Sequence, residues 1–281
     1  MVSSEAVPFA KSGGLGDVVS ALSAELKNRG HDVRIVLPRY YSIPKDGLKA
    51  HSAPLGVPVG FKEEWCGVFE TRLPGSDVPV YLLDHERLFG RMGIYAGPGG
   101  GEFPDNAERF TLLSRGAFQL CRYLGWIPEV LHGHDWPASL VPVYLNTWER
   151  EREFKETAGV LTVHNLGYQG VFHKTDIHLT QLRWEHFHNS GFEFHDRLNF
   201  LQAGLKNADI ITTVSPTYSR EIQTPAFGFA MDAILRGRSG DLFGVLNGID
   251  YGEWNPETDP LLPAGFSADD LSGKDTVKTE L

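Results

Sequence analysis

The stretch Phe9-Ala-Lys-Ser-Gly-Gly-Leu-Gly-Asp17 places a lysine just ahead of three glycines and leads into a segment with helical periodicity. Glycines let a backbone adopt positive φ and approach a ligand closely, because no Cβ stands in the way. A helix that begins after such a loop offers unpaired N–H groups and a partial positive charge, to which Lys11 adds a full charge. The stretch matches neither the P-loop nor the Gly-x-Gly-x-x-Gly pattern. It predicts a strand–loop–helix unit that can hold a phosphate, with a plain glycine-rich turn as the alternative.

The segments on either side of this loop alternate between short apolar runs and helical patterns. The predicted strands cover 33–37, 64–72, 78–83, 130–132, 159–163, 210–214 and 242–246, and the predicted helices cover 17–29, 105–124, 137–148 and 197–207. Such alternation is typical of βαβ units and of a parallel sheet covered on both faces. The sequence therefore predicts an α/β fold with a Rossmann-like, doubly wound, mostly parallel sheet.

Charge and cysteine content limit which partners the protein can bind and in which compartment it is expected. The formal net charge of −10 over 281 residues argues against a sequence-independent grip on nucleic acid or on an anionic membrane. Cys66 and Cys121 lie far apart in no metal-ligand spacing, which indicates free thiols in a reducing compartment. The N-terminus shows no signal-peptide pattern and no stretch is long and apolar enough for a membrane span, so a cytosolic protein is expected unless a targeting segment was removed.

Polar or small residues follow each of five predicted strands. They are the Lys11 loop, Gly133-His-Asp-Trp136, His164-Asn-Leu-Gly-Tyr-Gln-Gly170, Ser215-Pro-Thr-Tyr218 and Asn247-Gly-Ile-Asp250. Ligands of open parallel sheets bind outside the carboxyl ends of the strands. Five such segments on one edge favour a shared site for a polar ligand.

Taken in order, these motifs resemble the N-terminal domain of the bacterial glycogen synthase and plant starch synthase family, and the similarity covers nearly the whole chain. The resemblance implies the N-terminal half of a GT-B glycosyltransferase. It implies retaining transfer of glucose from ADP-glucose, or UDP-glucose in some members, to the non-reducing end of an α-1,4-glucan. It also implies that neither a metal nor another cofactor takes part.

The resemblance further implies roles for individual residues. On the donor side, Lys11 corresponds to the lysine near the diphosphate, and the other donor-binding candidates are Gly13, Gly14, Asp17 and Asn247. On the sugar and acceptor side, the candidates are Tyr95, Asp135 and Asn165. The catalytic candidates are His164, Asp135 and Lys11, with the carbonyl and imidazole of His164 placed to stabilise developing positive charge.

Each of these residues also has a purely structural interpretation. Asp135 could cap a helix, Asp17 could be favourable charge in a first helical turn, and His164-Asn165 and Asn247-Gly248 could be turns. The histidines between 164 and 195 could suggest a metal, but no zinc-like spacing supports one. Two functional alternatives stay open: a non-catalytic glucan-binding domain, and a related GT-B transferase with another acceptor.

Both ends of the chain look incomplete from their residue patterns. Only Met1, Val2 and Ser3 are available for a first strand, and a helical pattern after the Ser267-Ala-Asp-Asp capping box stops at Leu281. The predicted domains are 1–255 and, for 256–281, a linker with the start of a missing nucleotide-binding domain. We therefore expect little or no activity from the 281 residues alone. The expected compartment is the bacterial cytoplasm, or the plastid stroma if a transit peptide was removed, and the oligomeric state stays open.

Overall fold

The computed structural model describes residues 1–252 and 254–280, so Glu253 and Leu281 lie outside the described residues. The chain divides into two compact units, Met1–Leu246 and Asn247–Leu281. The predicted domain boundary at residue 255 stays a prediction. None of the helices in the described part of the chain combines the length and apolar character that crossing a bilayer requires.

The first unit contains twelve described strands. Their bounds are β1 Ile35–Pro38, β2 Lys49–Ala50, β3 Leu55–Val59, β4 Lys62–Arg72, β5 Pro79–Asp84, β6 Val130–His134, β7 Ala158–Val163, β8 Val171–His173, β9 Glu193–Phe194, β10 Arg197–Asn199, β11 Ile210–Thr213 and β12 Leu242–Gly244.

Helices connect and cover these strands. Their bounds are α1 Gly14–Asn28, α2 Glu86–Phe89, α3 Asn106–Tyr123, α4 Leu140–Tyr144, α5 Glu185–Asn189, α6 Phe200–Asn207, α7 Pro216–Glu221, α8 Asp232–Gly237 and, in the second unit, α9 Ser272–Glu280.

The main sheet is mostly parallel, which confirms the predicted α/β fold class. On one side β1 pairs in parallel with β5, and β5 continues into antiparallel β4 and β2. On the other side β6, β7, β11 and β12 pair in parallel in that order. The antiparallel strands lie at one margin, so the carboxyl ends of the parallel strands share one edge.

Residues 1–3 join the two sides of the sheet although they are too few to count as a strand. Val2 bridges in parallel to both Val36 and Gly133. The Val2 N–H donates to the His132 carbonyl at 2.8 Å, and the His134 N–H donates to the Val2 carbonyl at 3.1 Å. This short segment therefore occupies the central position and delivers the residues that follow it to the carboxyl edge.

Helix α3 is the interior helix of the first unit. It packs against β1, β3 and α4. Fourteen of its 18 residues are buried, including both Arg109 and Arg115. The sequence pattern predicted a single buried face for this helix, but the buried surface is wider. The β3–β4 hairpin covers a side of the helix that the pattern leaves to solvent.

Two predicted helices are irregular in the structure. The segment 137–148 divides into a 3₁₀ turn Trp136–Ala138, helix α4 and a π-helical turn Leu145–Glu149. Pro137 and Pro142 lack an N–H, which limits regular α-helical bonding there. Helix α6 begins at Phe200 rather than 197, because 197–199 pair with β8 and β9 in a small antiparallel sheet. Asn199 caps α6 by accepting the Gln202 N–H at 2.9 Å.

In the second unit, the Ser267 motif forms a turn and not a helix cap. The Ser267 hydroxyl accepts the Asp270 N–H at 3.1 Å, but α9 begins only at Ser272. The predicted capping box is therefore wrong in its role, although its side-chain hydrogen bond is present.

Candidate active site

The glycine loop holds a carboxylate from its own chain. Glu5 follows the central segment 1–3 and is buried. Its oxygens accept the N–H groups of Ser12 at 2.5 Å and Gly13 at 3.2 Å, and the Ser12 hydroxyl at 2.7 Å. Two of the loop N–H groups that the sequence assigned to a phosphate are therefore already satisfied.

Gly13 and Gly14 are open to a ligand, but positive φ is not the reason. Neither they nor Gly16 have positive φ, so that part of the expectation is wrong. A Cβ built at Gly13 or Gly14 meets no heavy atom within 4 Å. At Gly16 the same Cβ would lie 3.1 Å from the Ala10 carbonyl oxygen. The first two glycines leave space outside the loop, whereas the third permits packing inside it.

Lys11 and Asp17 form an ion pair at the mouth of the loop. The Lys11 ammonium lies 2.7 Å from the Asp17 carboxylate, and the lysine side chain is 44% exposed. Asp17 occupies the first turn of α1, where negative charge is also favourable. The pair places a cation in the same loop as Gly13 and Gly14.

Tyr95 reaches the loop from the segment between α2 and α3. Its hydroxyl donates to Glu5 at 2.6 Å and lies 2.8 Å from the Ser4 hydroxyl. Burial and the nearby Glu5 charge raise the pKa of the Tyr95 phenol well above its usual range. Tyr95 therefore supports the loop through Glu5, whereas the resemblance implied that it lines the sugar site.

A buried arginine fixes the segment that carries Tyr95. Arg109 of α3 donates to the carbonyls of Leu88 and Ile94, each at 2.7 Å. The Asn106 amide donates to the Tyr95 carbonyl at 2.9 Å. These bonds link α3 to α2 and to residues 94 and 95, so the position of Tyr95 is set by the protein core.

Asp135 is a strained, half-buried acid just after β6. Its φ of 54° and ψ of −171° belong to a region that side chains other than glycine rarely adopt. The structure excludes a helix-cap role, since its carboxylate makes no cap bond to the following turn. Instead Oδ1 accepts the N–H groups of His164 at 2.7 Å and Asn165 at 3.4 Å. Asp135 thus ties the end of β6 to the end of β7.

The carboxyl group of Asp135 has a pKa close to neutral pH. Burial raises its pKa to about 7, the two backbone N–H bonds oppose that rise, and the Glu5 charge adds to it. Glu5, which binds the glycine loop, is therefore close enough to Asp135 for its charge to affect the pKa of that carboxyl. A carboxyl with such a pKa can gain or lose a proton at physiological pH.

His164 lies beside Asp135 as a neutral ring. Burial lowers the pKa of its imidazole to about 4. Its Nε2 lies 3.1 Å from Nδ1 of His134, a fully buried residue of β6. The Asn165 amide oxygen accepts the Gly167 N–H at 2.9 Å while the residue stays exposed. The structure therefore brings Asp135, His164 and Asn165 together.

The strand end after β11 serves a structural role. The Ser215 hydroxyl accepts the Tyr218 N–H at 2.9 Å and caps α7. The Tyr218 hydroxyl accepts the Leu166 N–H at 3.2 Å, which supports the His164 loop from the side of β11. Asn247 is an exposed residue of the second unit, and its donor role stays a prediction.

The sequence patterns did not single out Glu5 or His134. Glu5 lies two residues after the central segment 1–3, so the rule about carboxyl ends of strands could have found it. His134 lies within the predicted strand-end motif, but its neighbours Asp135 and His164 carried the expectation. Within residues 1–252 and 254–280, no group of three His, Cys, Asp or Glu side chains is arranged to hold a metal ion.

A family model described as the starch synthase catalytic domain matches residues 1–237. The chain belongs to this family. The matched region includes Lys11, Tyr95, Asp135 and His164, while Asn247 lies beyond it.

Individual relatives agree with this assignment. The chain is 50% identical over 281 residues to a glycogen synthase of Treponema denticola and 47% identical over 285 residues to glycogen synthase 1 of Geobacter sulfurreducens. It is also similar to the catalytic domain of starch synthase IV from Arabidopsis thaliana bound to ADP and acarbose. That match has a TM-score of 0.87 and 31% identity over 99% of the chain. The chain spans 57% of the length of each of these relatives.

Proposed function

We propose that this chain forms part of a retaining glucosyltransferase that moves glucose from ADP-glucose to the non-reducing end of an α-1,4-glucan. The relatives named as glycogen synthases and the Arabidopsis domain bound to ADP and acarbose support this proposal. The observation that carries it is the joining of Asp135 and His164 at the carboxyl edge, next to an open, cation-bearing glycine loop.

The chemistry of this edge suits a neutral sugar beside an anionic leaving group. Retaining transfer builds positive charge on the sugar ring and negative charge on the departing diphosphate. The Asp135 carboxyl and the Asn165 amide can bind sugar hydroxyls, and the neutral His164 ring adds no charge that would repel an oxocarbenium-like centre.

Lys11 provides the complementary charge for the leaving group. Its ammonium, paired with Asp17, lies at the mouth of a loop whose outer side is open at Gly13 and Gly14. A fixed cation aimed at a developing diphosphate charge lowers the barrier by electrostatic preorganisation. We propose that the Lys11 cation serves where other transferases use a divalent metal, so that chelation by EDTA leaves turnover unchanged.

A cytoplasmic location is also part of the proposal. The bacterial relatives and the two buried free cysteines, Cys66 and Cys121, support a reducing compartment. Burial raises the pKa of the Cys66 thiol to about 12 and that of Cys121 to about 11, so neither is a reactive thiolate.

The test measures transfer of radiolabelled glucose from ADP-glucose to glycogen by the full-length product of the gene that encodes this chain. Lys11→Ala should raise the KM for ADP-glucose and lower kcat, because it removes the charge that meets the diphosphate. Lys49→Ala is the matched control, since Lys49 is also exposed and pairs with a carboxylate, Glu70, at 2.9 Å. An unchanged kcat/KM in Lys11→Ala would contradict the proposed role.

The 281-residue chain is assayed beside the full-length product. We propose that it binds glucan but transfers little glucose, because the resemblance assigns most nucleotide contacts to a further domain. Turnover equal to that of the full-length product would contradict this part of the proposal. Glucan binding by a full-length product that never transfers glucose would favour the binding-domain alternative.

A further inference from the structure

A buried histidine holds the ring of His164 from behind. His134 is the last residue of β6, and its side chain is fully buried beneath the site. Its Nδ1 lies 3.1 Å from Nε2 of His164. On the other side of the ring, its Nε2 lies 3.4 Å from the thioether sulfur of Met1.

These two contacts determine where the protons lie. A thioether sulfur accepts hydrogen bonds and cannot donate, so a hydrogen bond at this contact requires the proton on Nε2 of His134. A neutral imidazole carries one proton, so Nδ1 of His134 is an acceptor. Burial lowers the pKa of the His134 imidazole well below its usual range, which keeps the ring neutral. The proton between the two rings therefore belongs to Nε2 of His164.

The ring of His134 is itself fixed by a neighbour. His132 stacks on it with ring centroids 4.2 Å apart. The Nε2 of His132 lies 2.6 Å from the Thr162 hydroxyl, which lies 2.6 Å from the Thr212 hydroxyl. This polar chain across β6, β7 and β11 leaves His134 little freedom to turn.

We infer that His134 is a positioning residue that holds His164 as its Nε2–H tautomer and leaves Nδ1 as the ring atom that accepts a hydrogen bond from a substrate hydroxyl. In the described part of the chain, the side-chain hydrogen bond of His164 is the one between its Nε2 and Nδ1 of His134. The consecutive residues His134 and Asp135 thus hold His164 twice, since His134 fixes the ring and Asp135 fixes the backbone N–H.

This inference rests on the proposed function for the catalytic role of His164, but its first test needs no turnover. Long-range ¹H–¹⁵N spectra of histidine-labelled 281-residue chain report the tautomer of each ring. His164 should show a protonated Nε2 and an unprotonated Nδ1. A protonated Nδ1 in the unsubstituted chain would overturn the inference.

Variants at position 134 test the consequence. His134→Leu removes the acceptor, so His164 should become a mixture of tautomers and kcat of the full-length product should fall about 100-fold, with KM for glucan little changed. His134→Asn keeps an acceptor oxygen close to the place of Nδ1 and should restore the tautomer and most of kcat. His51→Gln is the control, because the Nε2 of His51 contacts Glu70 at 3.0 Å, away from His134 and His164, and it should leave both readouts unchanged.

The outcomes distinguish the role of His134 from that of His164. If His134→Leu retains the Nε2–H tautomer and full kcat, the positioning role is wrong. If His164→Ala retains kcat, the catalytic role of His164 in the proposed function is wrong, and the tautomer measurement still decides the role of His134.

Discussion

Two polar clusters in the first unit differ in what pairs with their carboxylate: arginine side chains in one, backbone N–H groups in the other. In the cluster around Glu149, the fully buried carboxylate is paired with Arg115 at 2.9 Å and with Arg122. At the carboxyl edge, Asp135 is half-buried, and its described partners are the backbone N–H groups of His164 and Asn165. A like charge, Glu5, further raises the pKa of Asp135.

The difference indicates what each cluster does. The Glu149 cluster fixes the π-helical turn to α3, and its buried carboxylate is paired within the fold. Asp135 has a pKa close to neutral pH. Its backbone conformation is strained, which costs about 1–3 kcal/mol. A carboxylate without a counter-charge and a strained backbone are typical of functional sites. We therefore infer that the Glu149 cluster stabilises the fold and that the Asp135 cluster takes part in the chemistry.

The largest expected effect on stability is at Glu149. Glu149→Gln leaves the buried Arg115 without its counter-charge, so the free energy of unfolding should fall by about 3–5 kcal/mol in urea titrations. Turnover per folded molecule should not change. Glu153→Gln is the control, because Glu153 pairs with the same Arg122 but is 54% exposed, and it should shift stability by less than about 1 kcal/mol.

The comparison would fail if Glu149→Gln folded with nearly unchanged stability. It would also fail if the variant lost turnover without losing stability.

The next effect is a pH dependence at Asp135. Because the folded-state pKa of about 7 lies above the ordinary value of 3.8, the folded state binds the proton more tightly than the unfolded chain. The Asp135 contribution to stability therefore declines as pH rises from about 4 through 7. Asp135→Asn removes this titration, so the variant should gain roughly 2–3 kcal/mol relative to the unsubstituted chain between pH 5 and pH 8, while losing turnover.

A matched control for this measurement is Asp196. It also has positive φ, at 61°, but its side chain is 74% exposed and pairs with Lys174. Asp196→Asn should change stability by less than about 0.5 kcal/mol at both pH values. A stability difference for Asp135→Asn that does not vary with pH would contradict the role given to burial.

The smallest expected effects distinguish the glycines of the loop. Gly14→Ala places a methyl group in open space at the start of α1, so the melting temperature should be unchanged or slightly higher. The KM for ADP-glucose should rise, because the methyl group occupies ligand space. Gly16→Ala should instead lower stability by about 1 kcal/mol, because its Cβ meets the Ala10 carbonyl. Equal effects of the two substitutions on KM would contradict this division.

The sequence was sufficient to predict the sheet and the edge at which the candidate site residues meet. The apolar runs predicted the parallel strands, and the polar residues after them predicted that Asp135, His164 and Asn165 share an edge. Helices that pack on several sides were harder, because α3 is covered by a hairpin that its own periodicity does not show. The contact of Tyr95 with Glu5 could not be predicted, because Glu5 lies 90 residues away in the sequence and no local pattern links the two. The role of Tyr95 at the sugar site stays a prediction.

The sequence also could not predict which groups become hydrogen-bond partners once they are buried. The pKa of Asp135 and the tautomer of His164 depend on which groups burial leaves beside them. A strand-end motif shows that His134 and His164 are present, but only the register of β6 against β7 brings their rings together.

The central claim is that ligand binds at the carboxyl edge and not at the charge-paired cluster. The direct measurement is amide chemical-shift mapping of the ¹⁵N-labelled 281-residue chain during titration with maltohexaose and, separately, with ADP. We predict saturable shifts at His164 and Asn165 with the sugar and at Gly13 and Gly14 with ADP, and none at Arg115 or Glu149. Shifts confined to residues away from the carboxyl edge, or no saturable shift with either ligand, would contradict the claim.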